Sequence, residues 1–447
     1  LGGAGRMASC YTIPNLHVEA YCTYTNQVPC GYMRAPGSPQ VIFAVEAHTD
    51  LIARELGMDP VELREHNLPA RNHDGAEDAG RRVLRAAAHA VWESAESRVL
   101  SAEDAKHSLP PRGGGLGRGG SQHSSLSTQH VLVGRGISIC NRGTGTGEGS
   151  SDITVNPDGA ITVISAMPDN GQGGLTVVAQ VAAEAMGVPI DRVHLVPSST
   201  DALPIDVGSG ASRMTNVAGH AVITATDKLK EQLAPLAAQA LNSDQVTWAS
   251  PMDGTVREGG WRTPDGKYIS LGELAAEMIR PGDPAAHAQA TITTPRDPDS
   301  AYCVQGAEVQ VDPETGRVEL LRMVSAQDTG TIINAIGHQG QIEGGLIQGV
   351  GYALSEELTT EEGRITNGHL SDYKMPTLAD VPELTTINLE GASGPGPFGA
   401  RAIGEIPIIP TAGAIANAVA DAIGAPIFEL PITPERVLAA LGRLRAG

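Results

Sequence analysis

The stretch from Pro397 to Gly424, PFGARAIGEIPIIPTAGAIANAVADAIG, constrains this chain more than any other. It sets one carboxylate, Glu405, between a glycine-bearing turn (Gly399 to Gly404) and the apolar run Ile406, Pro407, Ile408, Ile409, Pro410. Small apolar residues then recur at helical spacing, which predicts a helix capped by Thr411 and ended by Gly424. A lone Glu leading into a buried segment has little water around its charge, the setting in which a carboxylate serves as a general base. The competing reading is a carboxylate paired with Arg401 at a loop edge.

Charge and cysteine usage narrow the classes. A formal net charge of −20 repels nucleic acid and anionic membrane surfaces alike. A length of 447 residues suggests two or three domains or one large one, and with aromatics at 3% the core must come from Ala, Val, Ile and Leu. Cys10, Cys22, Cys30, Cys140 and Cys303 form no CxxC pair, which argues against a structural zinc site or an iron–sulfur cluster on this chain. An odd, scattered set also fits a reducing compartment, so a cytoplasmic protein is expected. No stretch of about 20 apolar residues stands out, so no membrane span is expected. The first residue is Leu1 and not Met, which fits a fragment or a processed chain.

Along the chain, Val18, Ala20 and Cys22 alternate as in a half-buried strand. Two glycines and two prolines pin the loop GYMRAPGSPQ around Arg34, a setting that suits oxyanion binding against the alternative of a solvated surface arginine. Helices are expected from Gln40 to a stop at Gly57, after the cap Asp59, and over 78–98. A Gly/Ser-rich linker over 106–132 separates residues 1–105 from a second domain over 133–447. Gly143 to Gly149 (GTGTGEG) precedes a hairpin with its turn at Asn156–Gly159, and not a helix, so it reads as a turn and not a dinucleotide loop. A strand over 161–166 enters DNGQGG, with Gln172 and Gly173, and then a helix from Leu175 to Met186; glycines there aim backbone N–H groups at whatever lies above. A second such turn, through Gly210, Ala211 and Ser212, follows a strand at Val193 and precedes a helix over 217–229. Residues 240–300 read as polar and irregular. Strands follow over 308–311 and 317–325. Gln327-Asp-Thr-Gly330 carries the aspartic-protease tripeptide only once, whereas that mechanism needs two carboxylates. A glycine-rich helix from Gly340 to Leu358 offers Gln341 at its N-terminus.

Six of these pieces occur in one order: GYMRAPGSPQ, DNGQGGLTVVAQVAAE, TDALPIDVGSGASR, QDTGTIINAIGHQGQIEGGLIQGVGYALSEEL, NGHLSDYKMPTLADVP and GPFGARAIGEIPIIPTAGAIANAV. Together they resemble the molybdenum-bearing large subunit of the xanthine dehydrogenase, aldehyde oxidoreductase and carbon monoxide dehydrogenase family. The resemblance implies an α+β fold of molybdopterin-binding domains, with mixed sheets and packed helices. Residues 1–105 would be the C-terminal portion of the first such domain and 133–447 the second. It implies a molybdenum–molybdopterin cofactor, with the cytosine dinucleotide as one candidate form and no direct protein ligand to the metal. Arg34, Gln172, Gly173, Gly210, Ala211, Ser212 and Gln341 would hold that cofactor, and Glu405 would be the catalytic base. The substrate would be an aldehyde or N-heterocycle that gains water-derived oxygen, with electrons passed to 2Fe-2S and FAD centres on partner chains. The family's upstream portion, with a Gly-Gly-Phe-Gly loop, is missing from this sequence, which implies a companion chain or a cut. Pro36 stands where purine-oxidising members carry an aromatic ring, which weighs against xanthine. Two alternatives stay open: an aryl-thioester dehydroxylating reductase of the same family, and a non-catalytic scaffold.

Overall fold

The computed structural model of the chain describes residues 3–26, 31–71, 76–96, 131–196, 199, 201, 203, 208–295, 300–389 and 394–443. Helices α1 (Ser38–Leu56), α2 (Pro60–Asn67) and α3 (Ala79–Glu96) come first. Strands β1 (Leu132–Gly143), β2 (Glu148–Val155) and β3 (Ile161–Ser165) lead into α4 (Gly174–Met186), β4 (Val193–Val196) and α5 (Met214–Leu241). Next are β5 (Thr247–Ala249), β6 (Gly260–Arg262), β7 (Tyr268–Ser270), α6 (Leu271–Met278) and β8 (His287–Thr293). The chain continues through β9 (Ser300–Val311), β10 (Val318–Asp328), α7 (Ala335–Leu354), β11 (Thr360–Glu361), β12 (Arg364–Ile365) and β13 (Glu383–Asn388). Helices α8 (Thr411–Ile423) and α9 (Pro434–Ala440) close it.

Two larger sheets organise these elements, in the α+β manner expected. The first has the order β1-β9-β10-β13, antiparallel except for the parallel β10–β13 edge. Because side chains alternate along a strand, its two faces bury different partners. Ala307, Val309 and Val311 of β9 pack with Ala414, Ile415 and Ala418 of α8. Ile137, Ile139 and Val304 pack with Val83, Leu84 and Ala87 of α3 on the other face. Helix α8 sits directly on β1 because both surfaces are small: a Cβ on Gly136 would lie 2.2 Å from the backbone nitrogen of Ala418. The second sheet has the order β4-β3-β2-β8, with β4 parallel to β3. Helices α4 and α5 cover it through Val178, Val181, Val222, Ala225 and Leu229 against Ile153, Val155, Ile161 and Val163.

A buried ionic network ties α1, α2, β1 and α8 together. Arg64 donates from Nε to Glu46 Oε2 at 3.0 Å and lies 2.7 Å from Asp50 Oδ1. Glu46 also accepts from the Ile139 N–H at 2.9 Å and from the Tyr11 hydroxyl at 2.7 Å. Asn417 of α8 donates to the carbonyls of Glu46 and Ile137.

Several local expectations hold. Gly57 ends α1 in the left-handed conformation, Asp59 caps α2 by accepting from Val61 and Glu62, and β2 and β3 form the expected hairpin. Others need correcting. The alternating residues near Val18 pair with no strand among the described residues, and Val18 and Tyr21 are exposed. The helix expected over 217–229 runs from Met214 to Leu241 through Pro235, since Leu233 and Ala237 extend its buried stripe. Residues 240–300 are not irregular: they hold a sheet of order β5-β6-β7, α6 with a Ser270/Glu273 capping box, and β8. Helix α7 starts at Ala335 behind an Asn334 cap, so Gln341 lies in its second turn and not at its N-terminus. Thr411 is inside α8 and does not cap it; its hydroxyl donates to Gln305 Oε1 at 2.7 Å. The expected linker falls almost wholly outside the described residues.

The segment Ile406–Ile423 has the length and apolar character of a membrane span, yet 83% of it is buried in the fold. It breaks at Pro410 into a 3-10 turn and the 13 residues of α8. A helix of that length covers about 20 Å, against a hydrocarbon core of about 30 Å.

Candidate active site

The loop before α1, the end of β1, the β3–α4 turn, the turn before α5, the first turns of α7 and the loop 396–405 converge on one cavity of about 1240 Å³. Arg34, Gln172, Gly210, Ala211, Ser212, Gln341 and Glu405 all line it. Gly173, between the lining residues Gln172 and Gly174, precedes α4 in the left-handed conformation at φ 77°. All eight residues singled out from the sequence thus meet at one place, from segments up to 371 positions apart in the sequence numbering (Arg34 to Glu405).

The Glu405 carboxylate accepts four hydrogen bonds from three residues. Its Oε1 accepts from the Ala35 N–H at 3.2 Å. Its Oε2 accepts from Arg142 Nη2 at 2.6 Å, Arg142 Nε at 3.1 Å and the Ser212 hydroxyl at 3.2 Å. Ser212 Oγ in turn accepts from the Glu405 N–H at 2.9 Å, so one hydroxyl fixes both the backbone and the carboxylate. Ala211 and Ser212 both adopt positive φ, 51° and 53°. For residues other than Gly this costs about 1–2 kcal/mol each, and the geometry it secures is the delivery of Ser212 to Glu405.

The competing reading, a Glu405–Arg401 pair, does not form. Arg401 lies 3.5 Å from the buried Asp328 and donates to the Ser300 carbonyl at 2.9 Å. Asp328, from the Asp-Thr-Gly tripeptide, therefore belongs to a buried ion pair behind the cavity wall. Burial pushes its carboxyl above the usual range, and the Arg401 charge offsets part of this.

Arg34 donates from Nε to the Gly404 carbonyl at 2.5 Å and from Nη2 to the Gln341 carbonyl and Oε1 at 3.1 and 3.0 Å. Its place depends on Gly345 of α7, where a Cβ would lie 3.1 Å from Arg34 Cζ and 2.9 Å from Pro407 Cβ. Burial lowers the Arg34 pKa, against the opposing pull of Glu405. The Gln172 amide folds onto its own turn: Oε1 accepts from the Asn170 N–H and Nε2 donates to the Pro168 carbonyl. Asp169 braces the same turn by accepting from the N–H groups of Gly171 and Leu175, and these donors, Leu175 first, hold its carboxyl below the usual range.

Sequence reasoning missed Arg6, Arg142, Thr144, Asn216 and His338, which also line the cavity. Arg142 and Thr144 flank the start of the glycine run 143–149, so a turn set aside for lacking a helix still borders the site. Burial keeps the His338 imidazole pKa below its ordinary value, with Asn388 opposing.

In a chain of formal charge −20, five arginines (Arg6, Arg34, Arg142, Arg213, Arg401) and one carboxylate, Glu405, line this cavity among the described residues. Such a lining suits an anion. Gly171 and Gly210 border it with no atom within 4 Å of where a Cβ would stand, which leaves their backbone accessible to a bound group. Among the described residues no cluster of three His, Cys, Asp or Glu side chains could hold a metal. The arginines and the accessible glycine backbone of the lining fit an anionic pterin cofactor.

Comparison with known proteins points the same way. Residues 119–382 match the profile of a molybdopterin cofactor-binding domain, and residues 2–68 match a second profile of that description. The chain is 33% identical over 444 residues to the xanthine dehydrogenase molybdenum-binding subunit of Escherichia coli O157:H7, covering 97% of this chain and 56% of that protein. It is 31% identical over 449 residues to the aldehyde oxidoreductase of Megalodesulfovibrio gigas, covering 99% of this chain and 45% of that one. Quinoline 2-oxidoreductase from Pseudomonas putida 86 is similar in structure, with a TM-score of 0.79 at 25% identity over 99% of this chain and 57% of that chain. The chain spans about half the length of the curated relatives it matches.

Proposed function

Since the chain belongs to the family of molybdopterin cofactor-binding proteins that includes xanthine dehydrogenases and aldehyde oxidoreductases, we propose that it forms the catalytic part of a molybdenum hydroxylase. The substrate class is an aldehyde or an electron-poor N-heterocycle, and the enzyme adds oxygen derived from water. The observation that carries this reading is Glu405, the one carboxylate that lines the cavity beside five arginines among the described residues, where the glycine turns meet.

When bound, the molybdenum cofactor would supply the two-electron redox chemistry and the site of oxygen transfer. This chain's residues would do the rest. Backbone N–H groups of Gly173, Gly210, Ala211 and Ser212, with the amides of Gln172 and Gln341, would hold the cofactor, and Arg34 would flank its reactive end. Glu405 would accept a proton at its carboxylate, oriented by the Ala35 N–H and the Ser212 hydroxyl. The Gln172 amide would have to leave its contacts with Asn170 and Pro168 to reach a ligand.

The finer assignments belong to the same reading. The cytosine dinucleotide is the proposed cofactor form. Companion chains would carry 2Fe-2S and FAD centres, in a cytoplasmic complex. Residues 1–105 would count as the C-terminal portion of the first molybdenum-binding domain and 133–447 as the second, with the profile matches at 2–68 and 119–382 as support.

The test is molybdenum and pterin content per chain in the natively purified complex, before and after Glu405→Gln. Near one molybdenum in both, with turnover falling about 100- to 10,000-fold in the variant, is the expected result. Unchanged turnover would remove Glu405 as the base. Absence of molybdenum from a complete complex grown with ample cofactor would favour a scaffold.

A further inference from the structure

The arginines of the cavity are not equivalent in how their charge is met. Arg401 faces Asp328, and Arg34 gives its Nε and Nη2 to neutral oxygens of Gly404 and Gln341. At the Glu405 end, Arg142 uses Nε and Nη2 on that carboxylate, while its Nη1 reaches only to Ser38 Oγ at 3.4 Å. Arg6 backs onto the same strand end: its hydrogen bond among the described residues is a long one, from Nη1 to the carbonyl of Asn141 at 3.5 Å. It makes no ion pair among the described residues. Arg6 thus reaches the residue next to Arg142, and both arginines line the cavity; in keeping with this, burial and then Arg142 pull the Arg6 pKa down. Among the described residues, three cations that line this end of the cavity, Arg6, Arg34 and Arg142, therefore share one anion, Glu405.

Two neighbouring guanidinium groups with little water around them repel each other, and an oxyanion between them turns that cost into charge-assisted hydrogen bonds with fork geometry. Arg142 touches the proposed base at 2.6 Å, so an anion held there lies on the reacting side of the cavity. We propose that Arg6 and Arg142 together bind a carboxylate on the substrate, so that the preferred aldehydes or heterocycles are organic acids. This rests on the activity proposed above.

Binding to the molybdenum-loaded complex tests it without turnover. The probes are 4-carbamoylbenzoate and terephthalamide, which share a ring and one amide and differ in carboxylate against amide. Calorimetry on the wild type should show the carboxylate binding about 10-fold or more tighter, the scale of one charge-assisted hydrogen bond. In Arg6→Met the preference should drop below about threefold, and Arg6→Lys, which keeps the charge and loses the fork, should fall between. Molybdenum content should not change in either variant. Equal binding of both probes by the wild type, or a full preference in Arg6→Met, would overturn the proposal. So would loss of molybdenum from both Arg6 variants, since Arg6 would then serve the cofactor. In a parallel assay, 4-formylbenzoate should exceed 4-formylbenzamide in kcat/KM, and Arg6→Met should erase that ratio. If neither aldehyde is oxidised, the proposed action on aldehydes loses its support, and the binding comparison still decides the role of Arg6.

Discussion

Replacing Arg64 by Met should destabilise the protein severely, although Arg64 lies outside the cavity. Its side chain is fully buried, between Glu46 at 3.0 Å and Asp50 at 2.7 Å. Met fills part of the arginine stem, so the lost packing is small. What is lost is the counter-charge: the Glu46 side chain is fully buried and that of Asp50 is 9% exposed, and neither can recruit much water. Breaking a buried pair in this way costs about 3–5 kcal/mol. Unfolding entropy is about 2.1 cal/mol/K per residue, so a cooperative unit of about 200 residues loses near 10 °C in Tm for 4 kcal/mol. If about 400 residues unfold together, the drop is near 5 °C. Calorimetric or CD melting of the variant at fixed pH and salt measures it. Adding Glu46→Gln removes one stranded charge, so the double variant should be more stable than the sum of the singles by about 1–3 kcal/mol. A Tm drop under about 1 °C, or strict additivity, would refute the argument that this network is held by charge pairing.

Three further outcomes follow from particular contacts. Ser212→Ala removes the hydroxyl that fixes both ends of Glu405, so kcat should fall by about tenfold with little change in KM; an unchanged kcat would show that Arg142 and Ala35 suffice to place the carboxylate. Gly136→Val forces α8 off β1, since even a Cβ would lie 2.2 Å from Ala418 N; a loss of about 3 kcal/mol or failure to fold is expected in urea titration, and wild-type stability would contradict the packing. Asp169 is held below its ordinary pKa, so the stabilisation it gives the β3–α4 turn is present above the unfolded value of about 3.9 and is lost as pH falls through the lower folded value. Protection of the Gly171 and Leu175 amides should weaken across that acidic window, and pH-independent protection would remove Asp169 as the brace.

The parts of this protein written in local sequence were legible in advance. Gly57 and Asp59 mark where one helix stops and the next starts, and the Asn156–Gly159 turn marks the hairpin, because capping and turn chemistry act over a few residues. The eight candidate residues were singled out from glycine-bearing turns, a lone Glu and a family resemblance, and seven of them line one cavity. Failures came where a distant partner decides. The alternation around Val18 predicts a strand, but a strand exists only with another to bond to, and the described fold offers none. Thr411 looked like a cap and instead serves Gln305 across the core.

Glu405 shows the same division inside the site. Its position between a glycine turn and an apolar run marked it as a base or as half of an ion pair. Arg401 was the near candidate, and the fold gave that arginine to Asp328 while β1 brought Arg142 to within 2.6 Å of Glu405. By itself the sequence marked the glycine turns that border the cavity and the one carboxylate set between such a turn and an apolar run. Which cations surround that carboxylate was decided only by the tertiary structure, because charge interactions act through space and sequence separation says nothing about distance.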